Sequence, residues 1–109
     1  MNYRHAYHAG NFADVLKHAV LCWVVRYLQQ KEAPLCLIDT HAGRGQYLIQ
    51  GEQARKTDEA RGGIFKLIVL KKLPEVLNNF LKQVERVNPV GSLINYPGSP
   101  LLIAQQLRE

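Results

Sequence analysis

The chain has 109 residues, of which 47% are hydrophobic, and its 14 lysines and arginines against 9 acidic residues give a net charge of +5. This length allows one small domain with a hydrophobic core, and the sequence contains no internal repeats. No apolar run is long enough to span a membrane, and the first residues are too polar for a signal peptide. A basic surface favours a polyanionic partner such as nucleic acid, although many basic proteins bind none.

The two cysteines, Cys22 and Cys36, both lie in apolar stretches of the sequence. This placement predicts two buried free thiols in a reducing compartment, not a disulfide framework. We therefore expect a cytoplasmic protein with no membrane partner.

The first ten residues form an irregular arm that is rich in rings, with Arg4 next to Tyr3 and His5. Aromatic rings interleaved with a cation suit stacking on bases and contact with phosphate. An arm that packs onto its own domain explains the same pattern equally well. His5 and His8 have a spacing that suits a metal ion, but no cysteine or acidic cluster accompanies them, so we predict no metal site.

A helix is predicted from the N-cap residue Asn11 to about Gln30, with Asp14 near the positive end of its dipole. Asp14 and His18 are four residues apart and share a face with Lys17 beside it. Because this face lies off the apolar stripe, the simplest interpretation is a solvated pair. The stripe itself consists of Val15, Leu16, Ala19, Val20, Trp23, Val24, Tyr27 and Leu28.

A compact apolar run at residues 35–38 leads into Asp39 and then into a turn that contains Gly43 and Gly45. A run without an alternating polar face is typical of a strand buried on both faces of a parallel sheet. A glycine turn at the end of such a strand is where α/β folds hold nucleotides. The third glycine of the dinucleotide fingerprint is replaced by Leu48, which disfavours a nicotinamide-dependent oxidoreductase. An ordinary strand-to-helix turn without a ligand is the alternative.

Residues 46–50 have the composition of the start of a helix, and residues 57–88 read as a helical hairpin. Within that hairpin, residues 64–70 suit either a helix or a short strand. The lysines and arginines of the hairpin form either a solvated face or an RNA-facing surface. An extended run at residues 93–96 then leads to a last helix, for which Ser99 is the predicted N-cap.

Four motifs occur in order along the chain. They are Tyr-Arg-His at residues 3–5, His-Ala-Gly-Asn-Phe-Ala-Asp-Val-Leu-Lys-His at residues 8–18, Asp-Thr-His-Ala-Gly at residues 39–43 and Tyr-Pro-Gly-Ser-Pro at residues 96–100. Together they closely resemble the amino-terminal part of the RlmJ family, and the resemblance covers essentially the whole chain. Members of that family are bacterial S-adenosylmethionine-dependent methyltransferases that act on adenine N6 of 23S ribosomal RNA.

The resemblance implies an α/β fold, namely a partial Rossmann-like S-adenosylmethionine-dependent methyltransferase fold with an inserted helical subdomain. Residues 1–50 would begin the methyltransferase core, residues 51–92 would form the inserted subdomain, and residues 93–109 would return to the core. Full-length members of such a family are expected to be monomers with 23S ribosomal RNA as their partner.

The resemblance also implies roles for particular residues. Asp14 would help to orient His18, and the Arg44 side chain would point to solvent or to RNA phosphate. Tyr3 and Arg4 would contact the substrate RNA. The residues that would bind the cofactor, S-adenosyl-L-methionine, are His18, His41, Ser99, Lys17, Asp39 and Gly43.

The Asp-Pro-Pro-Tyr motif of the family does not occur in this sequence. In N6-adenine methyltransferases that loop grips the target amine and stacks on the flipped base. We therefore expect no catalytic residue in this chain and no methyltransferase activity from its 109 residues alone. The alternative is a basic RNA-binding module without catalytic activity.

Overall fold

The computed structural model describes residues 4–49 and 58–108. Two 3₁₀ turns, His5–Tyr7 and Glu59–Gly62, accompany the regular elements. The helices are α1 (Phe12–Leu28), α2 (Ile64–Ile68), α3 (Glu75–Glu85) and α4 (Ser99–Gln106), and the strands are β1 (Gln46–Leu48) and β2 (Asn95–Pro97). The predicted α/β class is confirmed at this level. In the described ranges, no helix is long and apolar enough to cross a membrane.

Helix α1 is the central element of the fold, and its predicted start is confirmed. The Asn11 side-chain oxygen accepts a hydrogen bond of 2.8 Å from the Asp14 backbone N–H, which satisfies one of the free donors of the first turn. The helix ends at Leu28, where the Gln29 N–H still bonds to the Val25 carbonyl. Helices α3 and α4 both pack against α1.

The buried face of α1 overlaps the predicted stripe only in part. Apolar side chains occur on two sides of this helix, and α3 and α4 cover only one of them. Trp23 and Tyr27, both assigned to the buried stripe, are 51% and 59% exposed. Asp14 and His18 were expected to be solvated but are buried, so that interpretation was wrong. The buried residues of α1 are Asp14, Val15, His18, Ala19, Cys22 and Val25.

Both arms of the predicted hairpin contain a helix, α2 and α3, and residues 64–68 are helical, not extended. Phe80 and Val84 of α3 are buried in the same core as Cys22 of α1 and Leu102 of α4. Burying a large side chain of this kind stabilises a fold by about 1.5–3 kcal/mol. The division into a core and an inserted subdomain stays a prediction, and residues 50–57 lie outside the described ranges.

Strands β1 and β2 pair antiparallel, with Tyr47 opposite Tyr96. The prediction that residues 46–50 begin a helix was therefore wrong for residues 46–48. In β1 only the central residue, Tyr47, is buried, which is the two-residue period of a strand. The extended run predicted before the last helix is confirmed, since β2 begins at Asn95.

Residues 35–38 do not form the predicted buried strand. The segment is neither helix nor strand, and no strand pairs with it within residues 4–49 and 58–108. Ile38 is 81% exposed, and Cys36 is an exposed free thiol, so its predicted burial was wrong. A central strand is buried only when neighbouring strands and helices cover it, and the described residues do not supply them. The prediction for the other thiol is confirmed, because Cys22 is buried and free.

Candidate functional site

A cleft of about 570 Å³ opens where segment 34–39, which is neither helix nor strand, ends. One wall comes from the amino-terminal arm and the first turns of α1, and the other comes from the glycine turn (residues 39–45) and the residues that precede α4. The predicted site residues that line the cleft are Arg4, Lys17, His18, His41, Gly43 and Ser99. The structure thus brings together side chains from distant motifs, while their roles toward a ligand stay predictions.

Asp39 was predicted to bind the cofactor, but its contacts lie within the protein. Its Oδ2 accepts a hydrogen bond of 2.5 Å from the Ser99 hydroxyl, and its Oδ1 accepts one of 3.2 Å from the His41 backbone N–H. Asp39 therefore ties the glycine turn to the start of α4. The N-cap of α4 is Gly98, not Ser99 as predicted, because the Ser99 hydroxyl is engaged by Asp39 and Ser99 is the first helical residue.

Glycines occupy two positions around the cleft where other atoms of the chain approach closely. The Gly98 N–H donates a hydrogen bond of 2.8 Å to the Gly45 carbonyl. A Cβ at Gly98 would lie 2.1 Å from the Arg44 carbonyl oxygen, and one at Gly43 would lie 2.5 Å from the Tyr47 hydroxyl. Gly98 is therefore required by the packing of the protein itself, whatever ligand the cleft takes, whereas a side chain at Gly43 would have to displace the Tyr47 hydroxyl.

Asp14 provides a buried negative charge beneath the cleft. Its Oδ2 accepts hydrogen bonds from the Gly10 N–H at 3.0 Å and from His5 Nε2 at 2.9 Å. Its Oδ1 lies 3.2 Å from Lys17 Nζ and 3.6 Å from His18 Nδ1 without a well-oriented hydrogen bond. Burial by itself raises the pKa of Asp14, but the His5 hydrogen bond, the His18 charge and the Gly10 amide outweigh burial and lower the pKa to about 2.

His18 is 2% exposed and lines the cleft. Burial lowers the pKa of His18 to about 4, although the Asp14 carboxylate opposes this shift. The imidazole is therefore neutral at pH 7. Its Nδ1 lies 2.8 Å from the hydroxyl of Tyr96, a side chain with no solvent exposure. Burial also raises the pKa of Tyr96, which keeps the phenol protonated.

Sequence reasoning missed Tyr96 as part of this site. The residue belongs to a recognisable motif, but its partner His18 is 78 positions away in the chain. A local pattern carries no information about such a pairing. The only available signal was that a tyrosine in an apolar strand needs a partner for its hydroxyl.

The amino-terminal arm packs onto its own domain, as one of the two interpretations expected. The His5 ring lies edge-on against Tyr47 with ring centroids 5.1 Å apart. Farther along, His8 Nδ1 lies 2.8 Å from a Glu59 carboxylate oxygen. The same carboxylate oxygen accepts a hydrogen bond of 3.1 Å from the Asn11 side chain. Tyr3, a predicted RNA contact, lies outside the described residues.

Arg4, Lys17 and Arg44 give the cleft a cationic rim, and Arg44 is exposed as expected. The part of the chain that the structure describes contains no group of three or more His, Cys, Asp or Glu side chains that could hold a metal ion. The fold and the cleft together define an α/β protein with a cleft beside a glycine turn. Nucleotide-type ligands bind at this position in α/β folds.

Comparison with known proteins identifies the family. The family model described as "Ribosomal RNA large subunit methyltransferase D, RlmJ" matches residues 32–109. The chain belongs to this family, and the predicted resemblance is thereby confirmed.

Two curated relatives and one solved structure illustrate the relationship. "Ribosomal RNA large subunit methyltransferase J" of Escherichia coli K12 is 42% identical over 109 residues, which cover 100% of this chain and 39% of the relative. The protein of the same name from Haemophilus influenzae is 39% identical and is covered to 39%, with 99% of this chain aligned. The crystal structure of protein LPL1258 from Legionella pneumophila, described under the family name DUF519, has a TM-score of 0.83 at 37% identity. That match covers 93% of this chain and 37% of the other. The chain therefore spans about two-fifths of the length of these proteins.

Proposed function

We propose that this chain forms the donor-binding part of an S-adenosylmethionine-dependent methyltransferase that acts on adenine N6 of 23S ribosomal RNA. The observation that carries the proposal is the convergence of His18, His41 and Ser99 on one cleft from three separate motifs. Family membership supports the proposal independently, because the curated relatives are named as methyltransferases of large-subunit ribosomal RNA.

The cleft is chemically suited to S-adenosylmethionine. Its volume of about 570 Å³ falls in the ordinary range for small-molecule sites. When bound, this cofactor supplies a methyl group activated by a positively charged sulfonium. A neutral His18 suits such a ligand, because an imidazolium in the same place would repel it. Lys17, whose side chain is 61% exposed, offers a cation to the carboxylate of the ligand.

The role of these residues is to bind and orient, since methyl transfer from a sulfonium needs position more than a strong base. Asp39 contributes indirectly, by holding Ser99 and the His41 backbone in place. Residues 1–50 and 93–109 would form the donor-binding core, and residues 51–92 the inserted helical subdomain.

On the RNA side of the cleft, Arg4 and Arg44 offer positive charge to phosphate groups, and Tyr3 would lie near the entering RNA. Affinity that depends on such contacts should fall as the salt concentration rises. Ribosomal RNA as substrate would place the reaction in the cytoplasm. We propose that the full-length protein acts as a monomer.

Calorimetric titration of S-adenosylmethionine into the 109-residue chain tests donor binding. We expect the wild-type chain to bind and His41→Ala to abolish binding. His8→Ala is the matched control, because it also removes an imidazole but His8 does not line the cleft. RNA binding without any donor binding by the wild-type chain would instead favour a non-catalytic RNA-binding module.

A methyl-transfer assay on unmodified ribosomal RNA tests whether this chain can catalyse the reaction by itself. We expect no turnover, because the motif that grips the target amine is not in this sequence. A full-length family member serves as the positive control. Turnover by the 109 residues comparable to that control would contradict the expectation that this chain contains no catalytic residue.

A further inference from the structure

The hydrogen bond between Tyr96 and His18 connects the core of the protein to the cleft. The Tyr96 ring is completely buried in β2, where it packs edge-on against Phe80 with ring centroids 6.2 Å apart. It also lies opposite Tyr47 in the strand pair. The position of the Tyr96 hydroxyl is therefore set by the fold, and this hydroxyl lies 2.8 Å from His18 Nδ1.

The direction of this hydrogen bond follows from the buried hydroxyl group. A tyrosine hydroxyl has one proton to donate, and within the described residues the Tyr96 hydroxyl has no hydrogen-bond partner other than His18 Nδ1. If Nδ1 carried the imidazole proton, the Tyr96 proton would be left without an acceptor in the core. An unsatisfied buried donor is costly, so Tyr96 donates and Nδ1 accepts.

The Asp14 carboxylate favours the opposite tautomer of His18, but its effect is weaker than that of Tyr96. Its Oδ1 is 3.6 Å from His18 Nδ1, and its charge favours a proton on that nitrogen. The distance is too long for a good hydrogen bond, and Lys17 Nζ, 3.2 Å from the same oxygen, offsets the charge. His5 and Asp39 also act on the pKa of His18, in opposite directions and more weakly than Asp14. The rings of Phe80 and Tyr96 that pack against His18 carry no charge.

A neutral imidazole that accepts at Nδ1 carries its proton on Nε2. Nε2 has no hydrogen-bond partner among the described residues, and His18 lines the cleft. The cleft is therefore offered an uncharged N–H donor whose direction is set by the core.

We propose that Tyr96 is a positioning residue, which fixes His18 as a neutral Nε2–H donor to an acceptor oxygen of the ligand in the cleft. The ligand part rests on the proposed function, because the donor S-adenosylmethionine carries two kinds of acceptor oxygen, its carboxylate and its ribose hydroxyls. The tautomer part rests only on the contacts within this chain.

Nitrogen NMR of the chain with isotope-labelled histidines, without ligand and at pH 7, tests the tautomer of His18. We expect the signals of His18 to show a protonated Nε2 and an unprotonated Nδ1 in the wild-type chain. In Tyr96→Phe the Asp14 charge is no longer opposed, so the proton should move toward Nδ1. Tyr27→Phe, which removes an exposed hydroxyl from the same chain, should leave the tautomer unchanged. A wild-type Nδ1–H tautomer, or no change in Tyr96→Phe, would overturn the proposal.

Donor titration then tests the consequence for binding. Tyr96→Phe should weaken S-adenosylmethionine binding about three- to tenfold, the effect of one misdirected hydrogen bond. Methylthioadenosine, which lacks the carboxylate, distinguishes the two acceptor oxygens. An equal loss for both ligands assigns the bond to the ribose, and a loss for S-adenosylmethionine alone assigns it to the carboxylate. Unchanged affinity for both would overturn the role of Tyr96 in binding.

Substitutions of His18 itself test the proposal if Tyr96→Phe unfolds the chain. The His18→Gln amide can place an N–H near the position of Nε2, whereas the shorter His18→Asn amide reaches only the position of Nδ1. We expect His18→Gln to retain more donor affinity than His18→Asn, and the reverse order would contradict the proposal. A wild-type chain that shows the expected tautomer but binds no donor would refute the proposed function and leave the role of Tyr96 toward His18 standing.

Discussion

Acidification should destabilise this fold mainly through His18. The folded protein holds His18 neutral with a pKa of about 4, whereas the unfolded chain titrates near the ordinary value of 6.5. Between these values the unfolded state binds a proton that the folded state does not bind, so stability falls as the pH falls. At about 1.4 kcal/mol per pKa unit, the full difference corresponds to about 3 kcal/mol. For a small domain this is a large part of the total stability.

The contribution of Asp14 has the same sign but a lower pH window. Its folded pKa of about 2 lies below the ordinary value of 3.8, so the stability it contributes is complete above pH 4 and is lost as the pH falls toward 2. The contribution of Asp14 to the free energy of unfolding amounts to about 2 kcal/mol. The His8 hydrogen bond also lowers the pKa of Glu59 from its ordinary value of 4.5, so Glu59 contributes only near and below that pH. A loss of stability between pH 6.5 and about 5 therefore reports on His18.

Urea unfolding of the 109-residue chain at pH 7, 6, 5 and 4.5 provides the assay. We expect the wild-type free energy of unfolding to decline across the series and that of His18→Gln to lose this decline, because glutamine does not titrate. His41→Gln removes an exposed imidazole and should retain the wild-type decline. A flat wild-type series, or the same decline in His18→Gln, would refute the reasoning about the buried imidazole.

Two further predictions follow from contacts within the described residues. Gly98→Ala places a methyl group 2.1 Å from the Arg44 carbonyl and should cost about 1–3 kcal/mol or more in urea unfolding, whereas Gly62→Ala meets nothing within 4 Å and should be close to neutral. A thiol reagent should modify the exposed Cys36 rapidly in the folded chain, and it should reach Cys22 only on unfolding, since burial raises the Cys22 pKa to about 12. Equal destabilisation by the two glycine variants, or equal thiol rates in the folded chain, would contradict the respective contact.

Local sequence information was sufficient where the structure depends on neighbouring residues. The Asn11 side chain caps α1 by accepting a hydrogen bond from a backbone amide only three residues away. The residue type alone therefore identified the start of α1. The helical prediction for residues 57–88 likewise holds at α3, which buries Phe80 and Val84. The four motifs, taken together, identified the family.

Local information failed where burial is decided by partners far away in the chain. Residues 46–48 are a strand only because they pair with residues 95–97, and no local pattern distinguishes that from the start of a helix. Asp14 and His18 looked like a solvated pair because their partners are not visible in the helix sequence. The Gly10 amide and the Tyr96 hydroxyl make their burial tolerable, since a buried polar group must be hydrogen-bonded.

The two walls of the cleft differ in how firmly they are held. His18 is enclosed by the core, whereas His41 is held through the Asp39 contacts and the hydrogen bond between Gly98 and Gly45. Single hydrogen bonds of this kind contribute only about 0.5–1.5 kcal/mol each. The preceding segment gains no support from strand neighbours in the described part of the chain, where Ile38 remains 81% exposed. Loss of donor binding in His41→Ala is therefore a stricter test of the proposed function than loss of binding in a His18 variant. It requires the wall that carries His41, which is the less constrained of the two, to be in place.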